Sequence, residues 1–157
     1  MADLSAAVPF PSMNSSEIFL VKSSFQKVAP IAEQAAALFY ARLFELDPSL
    51  RDMFHGDRAE QGRKLMTMIG LAVNGLDRLE ALAPAVRHLG MRHAVYRVRE
   101  SHYDNVGAAL LWTLEKGLGA DFTADTRAAW NRVYWLLAET MKTGARDGLA
   151  MQSRIVA

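Results

Sequence analysis

The four histidines are the first candidates for chemistry, because an imidazole is the side chain whose ordinary pKa lies near neutral pH. His93 differs from the others, since it continues an apolar helical stripe through Val86 and Leu89 and is predicted to point inward. Two interpretations are open for it: a core histidine hydrogen-bonded to a carbonyl group, or a ligand of a buried metal. The other three fall in a loop, on the opposite helix face and in the first turn of a helix: His55, His88 and His102.

Two polar residues also lie on faces that are predicted to be buried. Tyr40 follows two apolar residues on the second predicted helix, and Gln61 stands one turn before Leu65. Each must find hydrogen-bond partners, which are either the other residue, a backbone carbonyl or a bound ligand. For the nearby Lys64, a solvated position is the favoured interpretation.

Several classes of site are excluded by what the sequence lacks. It contains no cysteine, which rules out disulfides, thiolate metal sites, iron–sulfur clusters and cysteine nucleophiles. It has neither an H-E-x-x-H motif nor a Glu-x-x-His pair, so zinc protease and di-iron carboxylate sites have no ligands. No serine–histidine arrangement for nucleophilic catalysis and no phosphate-binding glycine loop appears, which argues against most hydrolase and kinase chemistry.

The composition is that of one soluble domain. The 157 residues are 51% hydrophobic and 22% charged, with a formal charge of +1. Near-neutrality removes the electrostatic case for nucleic acid or an anionic membrane as the main partner. No apolar run is long enough to span a membrane, and the first residues do not have the pattern of a secretory signal. We therefore expect a cytoplasmic protein.

Apolar residues recur with helical spacing and nowhere alternate over a useful length, so the sequence predicts an all-α chain of six or seven helices. We divide it into an N-terminal arm (1–13), one domain (14–145) and a C-terminal tail (146–157). Helix ends are set by capping residues, prolines and glycines. The predicted helices start after Asn14 and at Pro30, near Arg58 and Leu79, at Ser101 with its partner Asp104, and after Thr123; the predicted stops are Asp47-Pro48, Asn74-Gly75, Tyr96 and Gly119.

Taken together in this order, several segments resemble the globin family, and most closely the bacterial single-domain haemoglobins compared with flavohaemoglobin heads and neuroglobin. The similarity covers about residues 15–141. The segments are Leu38-Phe39-Tyr40-Ala41-Arg42-Leu43-Phe44, Asp47-Pro48, Met53-Phe54, Gln61-Gly62-Arg63-Lys64-Leu65-Met66, Arg92-His93 with Tyr96, and Ser101-His102-Tyr103-Asp104-Asn105-Val106-Gly107. The resemblance implies a globin fold of six to eight helices around a haem b pocket.

The resemblance also implies roles for individual residues. His93 corresponds to the proximal haem ligand, whose second ring nitrogen can donate to the carbonyl of Leu89. Tyr40 and Gln61 correspond to the distal pair of hydrogen-bond donors. Further haem-pocket residues are assigned in the same way: Phe54 on the haem face, Leu65 over the iron, Tyr103 on the proximal side, and Lys64, Arg92 and Arg97 as propionate partners.

Two departures from the family pattern qualify these roles. Glutamine replaces the distal histidine of animal globins, so a bis-histidine state is not expected, and Tyr40 or Lys64 could become a sixth ligand only by moving. Related bacterial globins pair the tyrosine at the Tyr103 position with a late glutamate. An ungapped count from Trp130 places Ala145 at that position, which predicts weaker electron donation through His93.

The resemblance therefore implies a haem protein that binds dioxygen with high affinity and detoxifies nitric oxide, with diatomic gases as its ligands. Because no flavin or nicotinamide domain follows, turnover would require a separate reductase. The alternative is a ligand-binding or sensing globin that acts through a partner, and a third possibility is a globin fold that has lost haem. We expect a monomer or a weak homodimer.

Overall fold

The computed structural model describes the backbone of residues 13–156 and the side chains of residues 13–148. Within this range the chain forms six α-helices, four short 3-10 helices and no strand. The all-α prediction is therefore confirmed. The α-helices are α1 (Ser15–Val28), α2 (Ala32–Leu46), α3 (Arg58–Asn74), α4 (Leu79–Val95), α5 (Glu100–Leu118) and α6 (Ala124–Val156), and the 3-10 helices are Ala29–Ile31, Pro48–Met53, Leu76–Arg78 and Gly119–Asp121.

Most predicted helix ends are confirmed, because they depend on local hydrogen bonds. At the start of α1, the Asn14 side chain accepts from the amide of Glu17 at 2.8 Å, and the Glu17 carboxylate accepts from the amide of Asn14 at 3.0 Å. The α2 helix ends before Asp47, whose carboxylate accepts from the amide of Ser49. Gly119 closes α5 with a φ of +56°, a conformation that favours glycine.

The predicted cap of α5 by Ser101 and Asp104 is wrong. The helix begins one residue earlier, at Glu100, and the ring of His102 supplies the capping acceptor. Its Nδ1 atom accepts from the backbone amide of Arg99 at 2.9 Å. An imidazole nitrogen in the first turn can satisfy a free amide as a carboxylate would, and the helix start follows it.

The main core lies where α1, α5 and α6 meet the ends of α3 and α4. Val21 is fully buried there, and Trp130 donates from its indole nitrogen to the hydroxyl of Ser24 at 2.8 Å. This buried bond links α1 to α6 over 106 positions of sequence. The buried members of the main core are Met13, Val21, Val28, Ala35, Val73, Leu76, Leu79, Leu114, Leu118, Ala129, Trp130 and Val133.

A second, aromatic cluster fills the space between α2, α5 and the chain that leads into α3. Its buried members are Phe39, Tyr40, Leu43, Phe44, Leu50 and Ala109. Helices α2 and α3 cross closely, since a Cβ atom built on Gly62 would lie only 2.9 Å from the Cβ of Ala36. The Tyr40 and Gln61 positions are therefore held near each other by backbone packing.

Helix α4 is supported differently from the others. Its contact with α6 is the most extensive between any two helices of the described chain, whereas its contact with α3 is slight. It also contains Pro84, which cannot donate the hydrogen bond that an interior helical residue normally makes. Helix α4 is therefore held mainly by α6, apart from Leu79 and Leu82, which pack against the main core.

The proposed division of the chain relates to these elements as follows. The arm 1–13 lies outside the described residues except for Met13, which is buried in the main core. At the other end, α6 continues without a break across the boundary between residues 145 and 146, where the tail was predicted to begin. The division of the chain stays a prediction. No helix among the described residues has the length and apolar character needed to cross a membrane.

Candidate functional site

His93 lies in the last turn of α4 and is partly buried. Its Nδ1 atom is 2.8 Å from the carbonyl oxygen of Leu89. A carbonyl can only accept, so Nδ1 carries the proton and Nε2 keeps its lone pair. Burial lowers the pKa of His93, the bond to Leu89 raises it, and the nearby charge of Arg92 lowers it. The imidazole is therefore held neutral and in one tautomer, which is the form that binds a metal.

The bond to Leu89 is the one expected for this histidine under both interpretations that the sequence left open. It joins residues four apart and so depends only on the helix itself. What the structure adds is the setting: the ring lies on the helix that has little packing on its α3 side. The role of His93 as a ligand stays a prediction.

Tyr40 lies in α2 and is 5% exposed. Its hydroxyl donates to the backbone carbonyl of Gln61 at 3.3 Å, which is a long bond. Burial raises the pKa of Tyr40, and the positive charge of Arg58 acts in the opposite direction. The phenol therefore stays protonated and able to donate over the physiological pH range.

Aromatic rings surround Tyr40 on two sides. The ring of Phe54 meets it edge to face at 5.3 Å between centroids, and that of Phe44 stacks on it at 6.1 Å. The Arg58 guanidinium covers the outer face, 4.7 Å from the Phe44 ring centroid and 5.5 Å from that of Tyr40. Leu65 packs against the same cluster from α3. The structure thus brings three of the predicted pocket residues, Tyr40, Phe54 and Leu65, into one cluster.

Gln61 faces the same region from the first turn of α3. Its Nε2 atom donates to the carbonyl of His55 at 2.5 Å. Its Oε1 atom is buried and finds no hydrogen-bond partner in the described part of the chain. A buried polar atom without a partner is rare in native proteins and is a feature of sites that bind something. The second hydrogen on Nε2 is also free to donate, because an amide nitrogen carries two.

Tyr103, like Gln61, has a buried polar atom without a hydrogen-bond partner in the described residues. It is 7% exposed, and its hydroxyl has no hydrogen-bond partner among residues 13–148. Its backbone carbonyl accepts from the hydroxyl of Tyr134. Burial raises the pKa of the Tyr103 phenol, and the charge of Glu100 adds to this effect.

A cation lies beside Tyr103, on the same helix as Ala145, the position that corresponds to the family's late glutamate. The ammonium of Lys142 is 5.5 Å from the Tyr103 ring centroid and 5.1 Å from that of Trp135. The Lys142 side chain is only 11% exposed and pairs with Glu139 at 3.3 Å. Sequence reasoning missed this residue. The missing glutamate was visible in the sequence, but the helical register that turns Lys142 toward α5 was not.

The three basic residues suggested as propionate partners lie at the surface. Lys64 is 75% exposed and pairs with Glu60 at 3.6 Å, as expected for a solvated residue. Arg92 and Arg97 are exposed near the end of α4, and Arg97 has a φ of +65°. Long side chains at such positions can reach a charged group without being held beforehand. Their role as partners of a haem group stays a prediction.

These residues fit a haem group. One histidine with a free Nε2 stands on α4, and the cluster around Tyr40 supplies aromatic and aliphatic side chains. Two of the three buried polar atoms without a partner in the described residues belong to Gln61 and Tyr103, and the third is Arg42 Nε. A porphyrin brings four nitrogen ligands of its own, so a single protein imidazole completes a five-coordinate iron. In the described residues there is no group of three histidine, aspartate or glutamate side chains that could hold a metal ion.

Comparisons with known proteins agree with this fit. A family model described as globin matches residues 37–141. Neuroglobin of Tetraodon nigroviridis is 29% identical over 151 residues, covering 87% of this chain and 95% of its own, and neuroglobin of Chaenocephalus aceratus is 30% identical over 144 residues, covering 82% and 91%.

Two solved structures are similar in fold. A hexacoordinated haem protein from an anhydrobiotic tardigrade superposes with a TM-score of 0.78 at 19% identity, over 89% of this chain and 99% of its own. A bacterial globin from Campylobacter jejuni superposes with a TM-score of 0.75 at 23% identity, over 85% and 97%. Both likenesses concern the fold alone.

The burial of Tyr40 has a consequence that titration can measure. The folded chain keeps the Tyr40 proton at a pH where the unfolded chain has lost it, so the contribution of this group to stability falls as the pH rises above 10. We expect the Tyr40→Phe variant to lack a phenolate component that titrates above pH 10. Tyr96→Phe, at a ring that is 69% exposed, controls for the loss of one phenol. A missing component centred at or below pH 10 would contradict the burial argument.

Proposed function

Because the chain belongs to the globin family, we propose that His93 binds the iron of haem b and that the protein binds dioxygen reversibly with high affinity. We further propose that it is a single-domain globin of the bacterial type that resembles flavohaemoglobin heads and neuroglobin. Residues 14–145 then form the haem-binding domain. We propose a cytoplasmic location and a monomeric or weakly dimeric state.

The observation that carries this proposal is the state of His93. Its Nδ1 proton is committed to the Leu89 carbonyl, which leaves Nε2 as a free donor atom on a neutral ring. A hydrogen bond from the outer nitrogen orients a ligating imidazole and raises its basicity. The bond partner is a neutral carbonyl and not a carboxylate, so the increase in basicity is modest. Lys142, a cation near Tyr103, agrees with weak electron donation on this side.

Haem, when bound, would supply an iron that can bind diatomic gases. Tyr40 and Gln61 are the groups of this chain that could donate hydrogen bonds to a partly negative oxygen ligand. The Tyr40 hydroxyl is held by one long bond to the Gln61 carbonyl, and the Gln61 amide has one N–H to spare. A hydrogen bond to a charged acceptor contributes about 1.5–3 kcal/mol, which is roughly ten- to a hundredfold in affinity. Two such donors favour slow release and oppose a role in oxygen delivery.

Slow release suits a protein that consumes dioxygen in a reaction with nitric oxide. Each nitrate that is formed takes one nitric oxide, one dioxygen and one electron. The described residues contain no group that supplies this electron, so we propose a reductase as its source. The part of the chain that binds the gases is the same for this activity and for simple oxygen binding, so the two are distinguished by turnover.

The alternative is a binding or sensing globin whose ligand state is recognised by a partner. One comparison bears on this alternative, because the tardigrade protein of similar fold is described as a hexacoordinated haem protein. In this chain a sixth protein ligand would have to come from Tyr40 or Lys64. Tyr40 would have to leave the Gln61 carbonyl and Lys64 its pair with Glu60, so we propose that the sixth position is open to gases.

Replacing the proposed ligand gives the first test. We expect His93→Ala to lose haem or to bind it weakly, because no other imidazole shares its position on α4. His88→Ala is the matched control, since His88 is an exposed residue of the same helix. The measurement is the visible spectrum of the ferric and reduced proteins. A His93→Ala protein that keeps a five-coordinate histidine spectrum would remove His93 from this role.

Replacing the distal donors gives the second test. Tyr40→Phe is expected to raise the oxygen dissociation rate about ten- to a hundredfold, because it removes a donor to a charged acceptor. Gln61→Leu is expected to act in the same direction. Tyr96→Phe should leave the oxygen dissociation rate unchanged, because Tyr96 is an exposed residue just after the end of α4. Stopped-flow displacement of dioxygen measures all three, and a normal rate in Tyr40→Phe would show that its hydroxyl does not reach the ligand.

Turnover decides between the two candidate functions. With an added flavin reductase and nicotinamide cofactor, we expect the protein to consume nitric oxide and dioxygen in equal amounts and to form nitrate. His93→Ala should be inactive in the same assay. Stable oxygen binding without sustained nitric oxide consumption would favour the sensing alternative. A pulldown that depends on the bound gas would then identify the partner that recognises the ligand state.

A further inference from the structure

We infer that Gly90 and Gly144 are positioning residues for His93, through a contact between the backbones of α4 and α6. This inference rests on the proposed function, since it concerns how the haem ligand is placed. Nothing in the types or spacing of the candidate site residues points to these glycines. At both glycines the backbones of α4 and α6 approach each other closely.

Gly90 lies against the backbone of α6. A Cβ atom built on Gly90 would be 1.9 Å from the carbonyl oxygen of Met141 and 2.7 Å from its Cα. Moving the Met141 side chain cannot relieve this contact, because the added Cβ atom meets backbone atoms of Met141. Any residue other than glycine at position 90 must therefore move one helix relative to the other.

The contact is reciprocal. A Cβ atom on Gly144 would lie 2.0 Å from the carbonyl oxygen of Arg87 and 2.7 Å from its Cα. Arg87 and Gly90 are three residues apart on α4, and Met141 and Gly144 are three residues apart on α6, so the helices touch at two successive points. Two glycines inside helices cost helical stability, and the close approach that they allow is what offsets it.

The crossing lies directly beside the hydrogen bond that orients His93. Gly90 follows Leu89, the residue whose carbonyl accepts from His93 Nδ1 at 2.8 Å. His93 itself lies three residues further along, about 4.5 Å along the helix axis at a rise of about 1.5 Å per residue. Because α4 has little contact with α3, α6 is the neighbour that determines where this turn lies. A shift at Gly90 is therefore transmitted to the imidazole.

A second observation places the same stretch of α6 at the candidate site. Lys142, which follows Met141, lies 5.5 Å from the centroid of the Tyr103 ring. The Tyr103 hydroxyl is buried and lacks a hydrogen-bond partner in the described residues. The segment from Met141 to Gly144 thus contacts both the turn that precedes His93 and the tyrosine expected on the same side of the haem.

Other glycines of the chain provide contrast. A Cβ atom on Gly117 in α5 would meet only the end of Ile31, at an ordinary 3.5 Å. On Gly148 it would meet the flexible side chain of Met91 at 3.1 Å. Gly117 is therefore a control for the general effect of glycine replacement, and Gly148 is an intermediate case on the same pair of helices.

The experiment compares haem-loaded Gly90→Ala, Gly144→Ala and Gly117→Ala with the unmodified protein. The first readout is the iron–histidine stretching band of the reduced proteins in resonance Raman spectra. The second is the rate of haem transfer to an excess of a haem-free acceptor globin. We expect the band to shift or split, and haem loss to accelerate about tenfold or more, in Gly90→Ala and Gly144→Ala, because a forced overlap displaces the imidazole. Gly117→Ala should match the unmodified protein in both.

Two further variants separate positioning from general destabilisation. Val21→Ala leaves a void in the main core on α1 and should lower stability without moving the band. If Val21→Ala moves the band as much as Gly90→Ala does, or if Gly90→Ala and Gly144→Ala fold with an unchanged band, the inference is overturned. If neither glycine variant folds, Gly148→Ala replaces them in the test. A shift of its iron–histidine band from that of the unmodified protein supports the inference, and an unchanged band overturns it.

The outcomes also separate this inference from the proposed function. An unmodified protein that shows no iron–histidine band would contradict the ligand role of His93. An unmodified protein with that band, together with unaffected glycine variants, would leave the haem proposal intact and remove the positioning role.

Discussion

Helix α4 is held mainly by α6, and the position of His93 follows from this. It packs extensively on α6 and only slightly on α3, and at their closest point the backbones of α4 and α6 are in contact. Because α4 makes few contacts on its α3 side, the His93 ring is only partly buried and its Nε2 atom keeps a free lone pair. A second packed helix at that face would have enclosed the ring and left the chain with an ordinary core histidine.

The aromatic cluster around Tyr40 is held together in a different way. There α2, α3 and α5 enclose a cluster of aromatic rings, and Tyr40 is packed within it on several sides. The contact of Gly62 with Ala36 brings α3 close enough for the Gln61 carbonyl to accept from Tyr40. The donors are therefore placed by dense packing, whereas the candidate ligand is placed by one helix crossing and one local hydrogen bond.

What could be predicted from sequence was largely what depends on neighbours within one turn. Asn14 with Glu17, Asp47 before Pro48, and Gly119 each set a helix end, and the bond from His93 to Leu89 is also local. The start of α5 was missed because an imidazole can replace a carboxylate as a cap, a choice that residue types alone do not decide. The inward positions of Tyr40, Phe54 and Leu65 were predictable from the resemblance to a family.

Contacts between distant segments could not be predicted. Nothing in the sequence near Gly90 indicates that the Met141 carbonyl will lie against it, and Lys142 reaches Tyr103 only because α6 adopts one particular rotation against α5. In the same way, the bond from Gln61 to the His55 carbonyl depends on the path of the loop before α3. These features belong to the fold as a whole, and they decide how the candidate residues are held.

The one-sided support of α4 also bears on how the chain behaves before it acquires its cofactor. Helix α4 contributes Leu79 to the main core, and its remaining helix contacts are chiefly with α6. Opening of α4 would therefore expose the facing side of α6 as well, so the two helices are expected to open together. A group that binds only the closed form adds its binding free energy to that of the fold. Haem that binds only the closed arrangement would then protect both helices against proteases.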